Sequence, residues 1–302
     1  MAPFARIAII GLGLIGSSLA RAIRQHQPRV TLSGYDADPD VREIARALTL
    51  VDDIADSAGA AVTDADLVVL CVPVGAIAAV AAELAPDLPA EAIISDVGSS
   101  KAAVARALAQ ALPDHAIVPA HPVAGTERSG PEAGFASLFT GRYCILTPAD
   151  DADPLAVERV ASLWRTLGAR VETMAPEHHD LVLAVTSHLP HLIAYTIVGT
   201  ASDLEQVTQG EVIKYSAGGF RDFTRIAASD PTMWRDVFLT NKDAVLEMLQ
   251  RFSEDLTALQ RAIRWGDGDA LFELFSRTRA IRRSIVAEGQ DTSDHDFGRA
   301  HD

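Results

Sequence analysis

Cysteine is almost absent from this chain, with only Cys71 and Cys144 among its 302 residues. Two cysteines so far apart cannot form a disulfide framework or a cysteine-based metal site, and their scarcity fits a reducing compartment. The first residues, MAPFAR, also lack the charged and apolar segments of a secretory signal. We therefore expect a cytoplasmic protein.

Basic residues are also scarce: 26 lysines and arginines stand against 41 aspartates and glutamates, a formal net charge of -15. This charge repels phosphate backbones and anionic lipid, so we expect neither nucleic acid nor a membrane as a partner. The hydrophobic fraction of 48% and the charged fraction of 22% are ordinary for a soluble globular chain and exclude intrinsic disorder and fibrous architectures. The length predicts two domains.

One long run, from Leu181 to Ser202, carries no formal charge. It is long enough for a membrane-spanning helix, but it contains His188, Pro190 and His191 together with several serines and threonines. Polar groups at the centre of a bilayer are costly, whereas a helix buried between subunits tolerates them when they find partners. The run therefore predicts a helix in the core of a dimer.

The first half of the chain alternates short β-branched runs with amphipathic stretches, which predicts βαβ units and a parallel sheet. The strand candidates are Arg6–Ile10, Val30–Tyr35, Leu67–Val72, Ala92–Asp96, Ala116–Pro119, Tyr143–Thr147 and Ala169–Met174. The helix candidates between them are Leu14–Gln25, Pro39–Leu48, Ala76–Leu84, Lys101–Leu112 and Pro154–Leu167. The run from Leu67, LVVLCV, is apolar throughout, which is typical of a central strand covered on both faces.

From Pro176 onward helical spacing dominates. The helix candidates there are Leu181–Ser202, Leu204–Ala217, Met233–Gly266 and Asp269–Glu288. We therefore predict an α/β domain over residues 1–174, an all-α domain over 175–288 and a polar, frayed tail over 289–302.

A glycine-rich motif, Gly11-Leu-Gly13-Leu-Ile-Gly16, follows the first strand and opens a helix. In that context Gly11 permits a tight turn, Gly13 lets the backbone approach a pyrophosphate, and Gly16 allows close helix–strand packing. The helix N-terminus then offers free N–H groups to the phosphates. The motif predicts a Rossmann-type, mostly parallel sheet that binds a dinucleotide. We group Leu14, Ile15, Val72 and Pro73 with these glycines as cofactor-binding candidates.

An acidic residue, Asp36, follows the motif by about 20 residues at the end of the second strand. Its carboxylate would accept hydrogen bonds from the ribose hydroxyls of NAD and repel the additional phosphate of NADP. We therefore expect NAD, with NADP less favoured. The alternative is a glycine-rich turn without a ligand and an aspartate that only caps the next helix.

Two further clusters follow strands. Ligands bind beyond the carboxyl ends of the strands in an open α/β sheet, so the Asp96–Lys101 segment should face the cofactor. Alternatively, Ser99 or Ser100 in it caps the helix that follows. His121 comes directly after the next strand, where an imidazole that titrates near neutral pH could act as a base. A structural histidine is the other interpretation.

A third cluster combines Ser187–His191 with the segment Gly218–Trp234. His191 either reaches a ligand or closes a kink made by Pro190. Arg221 and Arg225, four residues apart, would share a helix face. They either pair with Asp222 and Glu211, or one of them binds a substrate carboxylate.

Five segments in this order, GLGLIGSSLARAI, DVGSSK, HPVAGTERSG, SHLPH and GGFRDFTRIAASDPTMW, resemble the prephenate and arogenate dehydrogenases of tyrosine biosynthesis. The resemblance spans about residues 5 to 285. It implies a homodimer with a Rossmann-type domain and a helical dimerisation domain. It also implies oxidative decarboxylation of prephenate to 4-hydroxyphenylpyruvate, or of arogenate to tyrosine, with NAD or NADP.

The resemblance also implies roles for individual residues. His121 resembles the histidine that accepts a hydrogen bond from the substrate ring hydroxyl, and Ser99 the serine that helps to position that hydroxyl and the nicotinamide. His191 and Arg225 resemble the substrate-binding pair, with Arg225 on a carboxylate. The remaining pocket residues by this resemblance are Thr126, Glu127, Asp222 and Trp234. From the length of the chain we expect neither a fused chorismate mutase nor a C-terminal regulatory ACT domain.

Two other functions are compatible with a Rossmann half and a helical half. A β-hydroxyacid-type dehydrogenase would use a catalytic lysine of the helical domain, where only Lys214 and Lys242 occur. A catalytically silent NAD-binding sensor would leave the histidine and arginine motifs unused. We expect no metal site, because the adjacent His178 and His179 should point to different sides of a helix.

Overall fold

The computed structural model describes residues 3–126, 128–208, 214 and 218–287. These residues form two compact units, divided between Leu246 and Glu247. The predicted division near residue 174 falls inside the first unit, between the last strand and the helix that begins at Pro176, and stays a prediction. The predicted tail over 289–302 lies outside the described residues.

Six parallel strands form the main sheet of the first unit, in the order β3-β2-β1-β4-β5-β6. Their bounds are β1 Arg6–Ile10, β2 Thr31–Tyr35, β3 Asp53–Ile54, β4 Leu67–Leu70, β5 Ile93–Asp96 and β6 Ala116–Ile117. The intervening helices are α1 Leu14–His26, α2 Pro39–Ala47, α3 Ala58–Val62, α4 Ile77–Leu84 and α5 Ala102–Ala111. This confirms the predicted Rossmann-type parallel sheet.

Strand β4 occupies the predicted central position, between β1 and β5. Its residues alternate between two buried clusters: Leu67 and Val69 face one, Val68 and Leu70 the other. Helix α1 contributes to the first cluster, while α4 and α5 contribute to the second. Both faces of the sheet are therefore covered, which explains why the strand is apolar throughout.

A second sheet of three strands departs from the prediction, which placed the Tyr143–Thr147 and Ala169–Met174 runs in the parallel sheet. Strand β7 Ala120–Pro122 pairs antiparallel with β8 Tyr143–Leu146, and β8 pairs parallel with β9 Arg170–Thr173. Helix α6, Pro154–Thr166, connects β8 and β9. Both runs are strands as predicted, but periodicity indicates only that a strand exists and not which neighbour it pairs with.

A helical run follows. It comprises α7 Pro176–Leu183, a π-helical segment Ala184–His188 and α8 Leu189–Thr208. Pro190 follows the π segment and lacks the N–H of a regular helical residue, which accounts for the local widening. The predicted helix over Leu204–Ala217 is described only in part, because residues 209–213 and 215–217 lie outside the described residues.

The remaining helices of the described chain are α9 Gly218–Thr224, α10 Pro231–Thr240, α11 Lys242–Trp265 and α12 Gly268–Ala287, with a 3-10 turn at Arg225–Ala228 after α9. The prediction of one helix over Met233–Gly266 is wrong, because the helix is interrupted at Asn241. The Nδ2 atom of Asn241 donates a 2.8 Å hydrogen bond to the carbonyl of Asp180 in α7. This buried tertiary contact fixes a non-helical residue that the sequence pattern does not distinguish.

The stretch Pro176–Asp203 is long and apolar enough to cross a membrane, as judged by length and composition alone. Only 22% of its most apolar window is buried, and Val185, Ile197 and Val198 expose large parts of their side chains. A face of this kind on a single chain is what a subunit interface also requires.

Candidate active site

The glycine-rich motif forms a tight loop between β1 and α1. Gly11 has a φ of 97°, and a Cβ atom there would lie 2.4 Å from the carbonyl oxygen of Cys71. At Gly16 a Cβ atom would lie 1.9 Å from the Gly11 carbonyl oxygen. At Gly13, by contrast, a Cβ atom would meet none of the described residues within 4 Å. The loop therefore excludes side chains from its inner side and leaves an open approach at Gly13, as a pyrophosphate requires.

Asp36 lies against this loop. Its Oδ2 atom accepts a 2.8 Å hydrogen bond from the Leu12 amide, and its Oδ1 atom accepts one of 3.0 Å from the Asp38 amide. Asp38, not Asp36, caps α2, through the amide of Asp40. The alternative in which Asp36 only caps the helix is therefore wrong. Its carboxylate retains lone pairs that can accept hydrogen bonds from ribose hydroxyls at the edge of the glycine loop.

The carboxyl ends of β1, β4 and β5 meet beside the loop. Val72, two residues after β4, approaches Gly11, and the Val74 side chain lies against Gly98, after β5. Pro73, between these two valines, is exposed. The segment after β5 therefore borders the predicted cofactor region, as its position at a strand end indicates.

A buried ion pair anchors that segment. The Nζ atom of Lys101 donates hydrogen bonds to the Asp96 carboxylate and, at 2.8 Å, to the Ala120 carbonyl. Burial lowers the pKa of Lys101, while the charges of Asp96 and Asp180 act in the opposite direction. Because Ala120 precedes His121, this lysine fixes the backbone of the candidate base.

The serines of this segment do not cap α5. Asp180 of α7 takes that role, because its Oδ1 atom accepts the Lys101 amide at 2.7 Å and its Oδ2 atom the Ala102 amide at 2.9 Å. Ser100 instead shares a 2.8 Å hydrogen bond with Thr240. Ser99 is half-buried, in the turn between β5 and α5.

His121 is buried and belongs to a chain of polar groups. Its Nδ1 atom lies 2.8 Å from Nε2 of His179, and Nδ1 of His179 lies 2.8 Å from Oδ1 of Asp180. Burial holds the pKa of His121 well below the ordinary histidine value of 6.5, and the neighbouring His179, Lys101 and His188 act in the same direction. His121 is therefore a neutral imidazole at neutral pH, the form that can accept a proton.

His191 lies in the first turn of α8 and stacks on Trp234 of α10, with ring centroids 3.6 Å apart and ring planes inclined by 23°. Its Nδ1 atom lies 2.8 Å from the Ser187 carbonyl. Burial lowers the pKa of His191; the Ser187 contact opposes this, and the charge of Arg225 adds to it. The predicted pair His191 and Arg225 is therefore close enough to interact.

Residues 19–173 match the family model described as "Prephenate dehydrogenase, nucleotide-binding domain", and residues 175–277 match "Prephenate dehydrogenase, dimerization domain". The chain belongs to the prephenate dehydrogenase family. The recognition from its five motifs is thus confirmed, as is the fold class.

Relatives within the prephenate dehydrogenase family match nearly the whole chain. The cyclohexadienyl dehydrogenase of Zymomonas mobilis is 48% identical over 297 residues, covering 98% of this chain and 99% of the relative. The prephenate dehydrogenase of A. aeolicus, solved with hydroxyphenyl propionate and NAD+, superposes with a TM-score of 0.87 at 35% identity, covering 93% of this chain and 98% of that one. Synechocystis arogenate dehydrogenase superposes with a TM-score of 0.77 at 28% identity, covering 93% of this chain and 99% of that one.

The other site candidates in this member of the prephenate dehydrogenase family differ in burial. Thr126 and Arg225 are exposed, Asp222 is half-buried, and Glu127 lies outside the described residues. Trp234 is buried beneath His191, and its indole nitrogen has no hydrogen-bond partner among the described residues. His121 lies inside β7 of the second sheet, and Lys101 links its neighbour Ala120 to the end of β5, while α8 and α10 bring His191 and Trp234 together.

The residues that sequence reasoning missed are His179 and Asp180. The adjacent His178 and His179 do point to different sides, as predicted: His178 is exposed and His179 buried. That prediction considered the pair only as metal ligands, and among the described residues no group of three metal-binding side chains occurs. The available signal was an aspartate and a histidine adjacent in sequence at the start of a helix.

Proposed function

We propose that this protein oxidatively decarboxylates prephenate, arogenate or both, with hydride transfer to NAD, in the tyrosine pathway and in the cytoplasm. The observation that carries the proposal is His121: a buried imidazole, neutral at neutral pH, tied through Lys101 to the carboxyl end of β5. Relatives named as cyclohexadienyl, prephenate and arogenate dehydrogenases support the substrate class.

The glycine loop fits NAD. The open side of Gly13, the N-terminus of α1 and the carboxylate of Asp36 would hold the pyrophosphate and the ribose. Leu14 and Ile15, in the first turn of α1, and Val72 and Pro73, after β4, would border the same ligand. When bound, the nicotinamide accepts a hydride from the substrate carbinol carbon.

His121 supplies the proton chemistry. As the carbinol C–H bond breaks, the ring hydroxyl becomes more acidic and His121 takes its proton. The bond to the ring carboxylate then breaks, carbon dioxide leaves, and the electron pair enters the ring, which becomes a phenol once its oxygen regains a proton. Aromatisation of the ring makes the overall reaction effectively irreversible. Ser99 would help to orient the hydroxyl.

Arg225 and His191 would hold the other end of the substrate. A guanidinium offers two parallel N–H groups to a carboxylate, which fixes both its position and its orientation. Thr126, Glu127, Asp222 and Trp234 would complete the pocket. We also propose that the apolar face of Pro176–Asp203 packs against a second copy of the chain, since residues 175–277 match a dimerization domain.

The first test concerns the cofactor loop. Gly13→Val should leave folding nearly intact, with a cost of about 1 kcal/mol at this N-cap position, because the new side chain projects into open space. It should weaken NAD binding about tenfold or more, because the side chain occupies the approach to the pyrophosphate. Isothermal titration and thermal unfolding measure the two effects, and Gly16→Ala is the contrasting variant, expected to unfold more easily. Unchanged NAD affinity in Gly13→Val would contradict this site.

The second test follows NADH absorbance with each acid and each cofactor. We expect turnover with at least one of the two acids, and faster turnover with NAD than with NADP because Asp36 repels the additional phosphate. Better use of NADP would remove Asp36 from that role. Cofactor binding without turnover of either acid would favour the catalytically silent sensor instead. The β-hydroxyacid-type alternative is not favoured, because the family match extends through both domains.

A further inference from the structure

The hydrogen bonds that link Asp180, His179 and His121 have a defined donor and acceptor at each step. Asp180 accepts the two backbone N–H groups at the start of α5, so its carboxylate can offer only acceptor atoms to His179. The Nδ1 atom of His179 must therefore donate to Asp180, which leaves its Nε2 atom as an acceptor. That acceptor lies 2.8 Å from Nδ1 of His121, which must in turn donate.

We propose that His179 is a positioning residue that holds the proton of His121 on Nδ1, and that Asp180 holds His179 in the matching tautomer. The Nε2 atom of His121 then carries a lone pair, and no residue that the structure describes forms a hydrogen bond with it. This inference rests on the proposed function, because a base in that reaction needs its free nitrogen unprotonated before turnover.

The same hydrogen bonds also stabilise His121 after it has taken a proton. When His121 takes a proton on Nε2, its Nδ1–H still donates to His179, and His179 still donates to the negative charge of Asp180. The positive charge is thereby supported by hydrogen bonds that exist before the reaction and need no rearrangement. His121 itself touches the substrate, whereas His179 and Asp180 act through it.

A purely structural role for this chain is the competing interpretation. Asp180 caps α5 through its carboxylate, so replacing its side chain would disturb the start of that helix. The cap, however, does not need His179. The buried His179 side chain contacts Asp180 at one nitrogen and His121 at the other, so a variant of His179 alone leaves the α5 cap in place.

The experiment therefore compares three variants of the full-length protein. His179→Phe retains a ring of similar size but removes the acceptor, and we expect kcat to fall about 10- to 100-fold, a part of what a general base supplies, with KM changed less than about threefold. In His179→Gln the side-chain carbonyl can still accept from Nδ1 of His121, and this variant should recover most of the loss. His178→Gln, at the exposed neighbouring histidine, is the matched control and should behave as the wild type.

Nitrogen-15 NMR of histidine-labelled protein provides the readout that a structural role would not move. In the wild type we expect the proton of His121 on Nδ1, and in His179→Phe a shift of the proton towards Nε2. A wild-type proton on Nε2, or equal losses of kcat in the phenylalanine and glutamine variants with normal thermal unfolding, would overturn the proposal. If the wild type turned over neither acid, the proposed function would fail, while the NMR result would still decide the positioning role.

Discussion

His121→Asn should lower kcat by about 10²- to 10⁴-fold, the usual contribution of a general base, while substrate binding changes much less. Asparagine can donate a hydrogen bond to the ring hydroxyl but cannot accept its proton. Steady-state kinetics with the better of the two acids measure the split between kcat and KM. NAD titration and thermal unfolding serve as controls, because the substituted side chain lies beside the buried Lys101–Asp96 pair.

The pH dependence of kcat/KM tests the role of His121 independently. The pKa of His121 is held well below 6.5 by burial, so the active neutral form persists below that pH and is lost only as the pH falls through the lowered pKa. We expect the acid limb of kcat/KM to lie below 6.5 in the wild type and to be absent from His121→Asn. An unchanged turnover number in the variant would rule His121 out as the base.

Arg225→Ala should act mainly on the apparent affinity for the substrate, raising KM about 30- to 900-fold with a smaller effect on kcat. The physical reason is the loss of a forked, charge-assisted contact with a carboxylate, which alanine cannot replace. Because Arg225 is exposed in the 3-10 turn after α9, the variant should unfold at the wild-type temperature. Initial-rate kinetics over a wide range of substrate concentration measure the changes in KM and kcat.

Arg221 provides the matched control. It is exposed and four residues earlier, in the helix that precedes the turn of Arg225. Arg221→Ala should change KM less than Arg225→Ala does. A loss confined to kcat in Arg225→Ala, or a larger KM effect in Arg221→Ala, would transfer the carboxylate-binding role away from Arg225.

The main sheet could be predicted because each of its longer strands combines apolar residues with a following helix pattern. The central run from Leu67 has no polar residue on either face, which leaves little choice about its position. The two-residue strand Asp53–Ile54 and the five-residue helix α3 were missed, because elements so short show no measurable period. The separate pairing of β7 with β8 was missed because partners far apart in sequence leave no local signal.

The site was predicted unevenly for a related reason. The glycine loop, His121 and His191 stand in segments whose spacing or resemblance indicates a role. His179 and Asp180 gain theirs only from contacts across the fold, with the start of α5 and with His121, 58 or more residues away in sequence. The helix break at Asn241 has the same origin, a buried hydrogen bond to α7 that no local pattern announces.

The proposed base and its proposed positioning residue come from different parts of the chain. His121 and the Lys101 anchor lie within the nucleotide-binding match, whereas His179 and Asp180 lie just inside the dimerization match. A fragment that ended before Pro176 would keep its glycine loop and its imidazole, yet lose the acceptor that orients that ring. Recombining halves from different relatives would thus preserve that orientation only when the incoming helical half places a hydrogen-bond acceptor beside Nδ1 of His121.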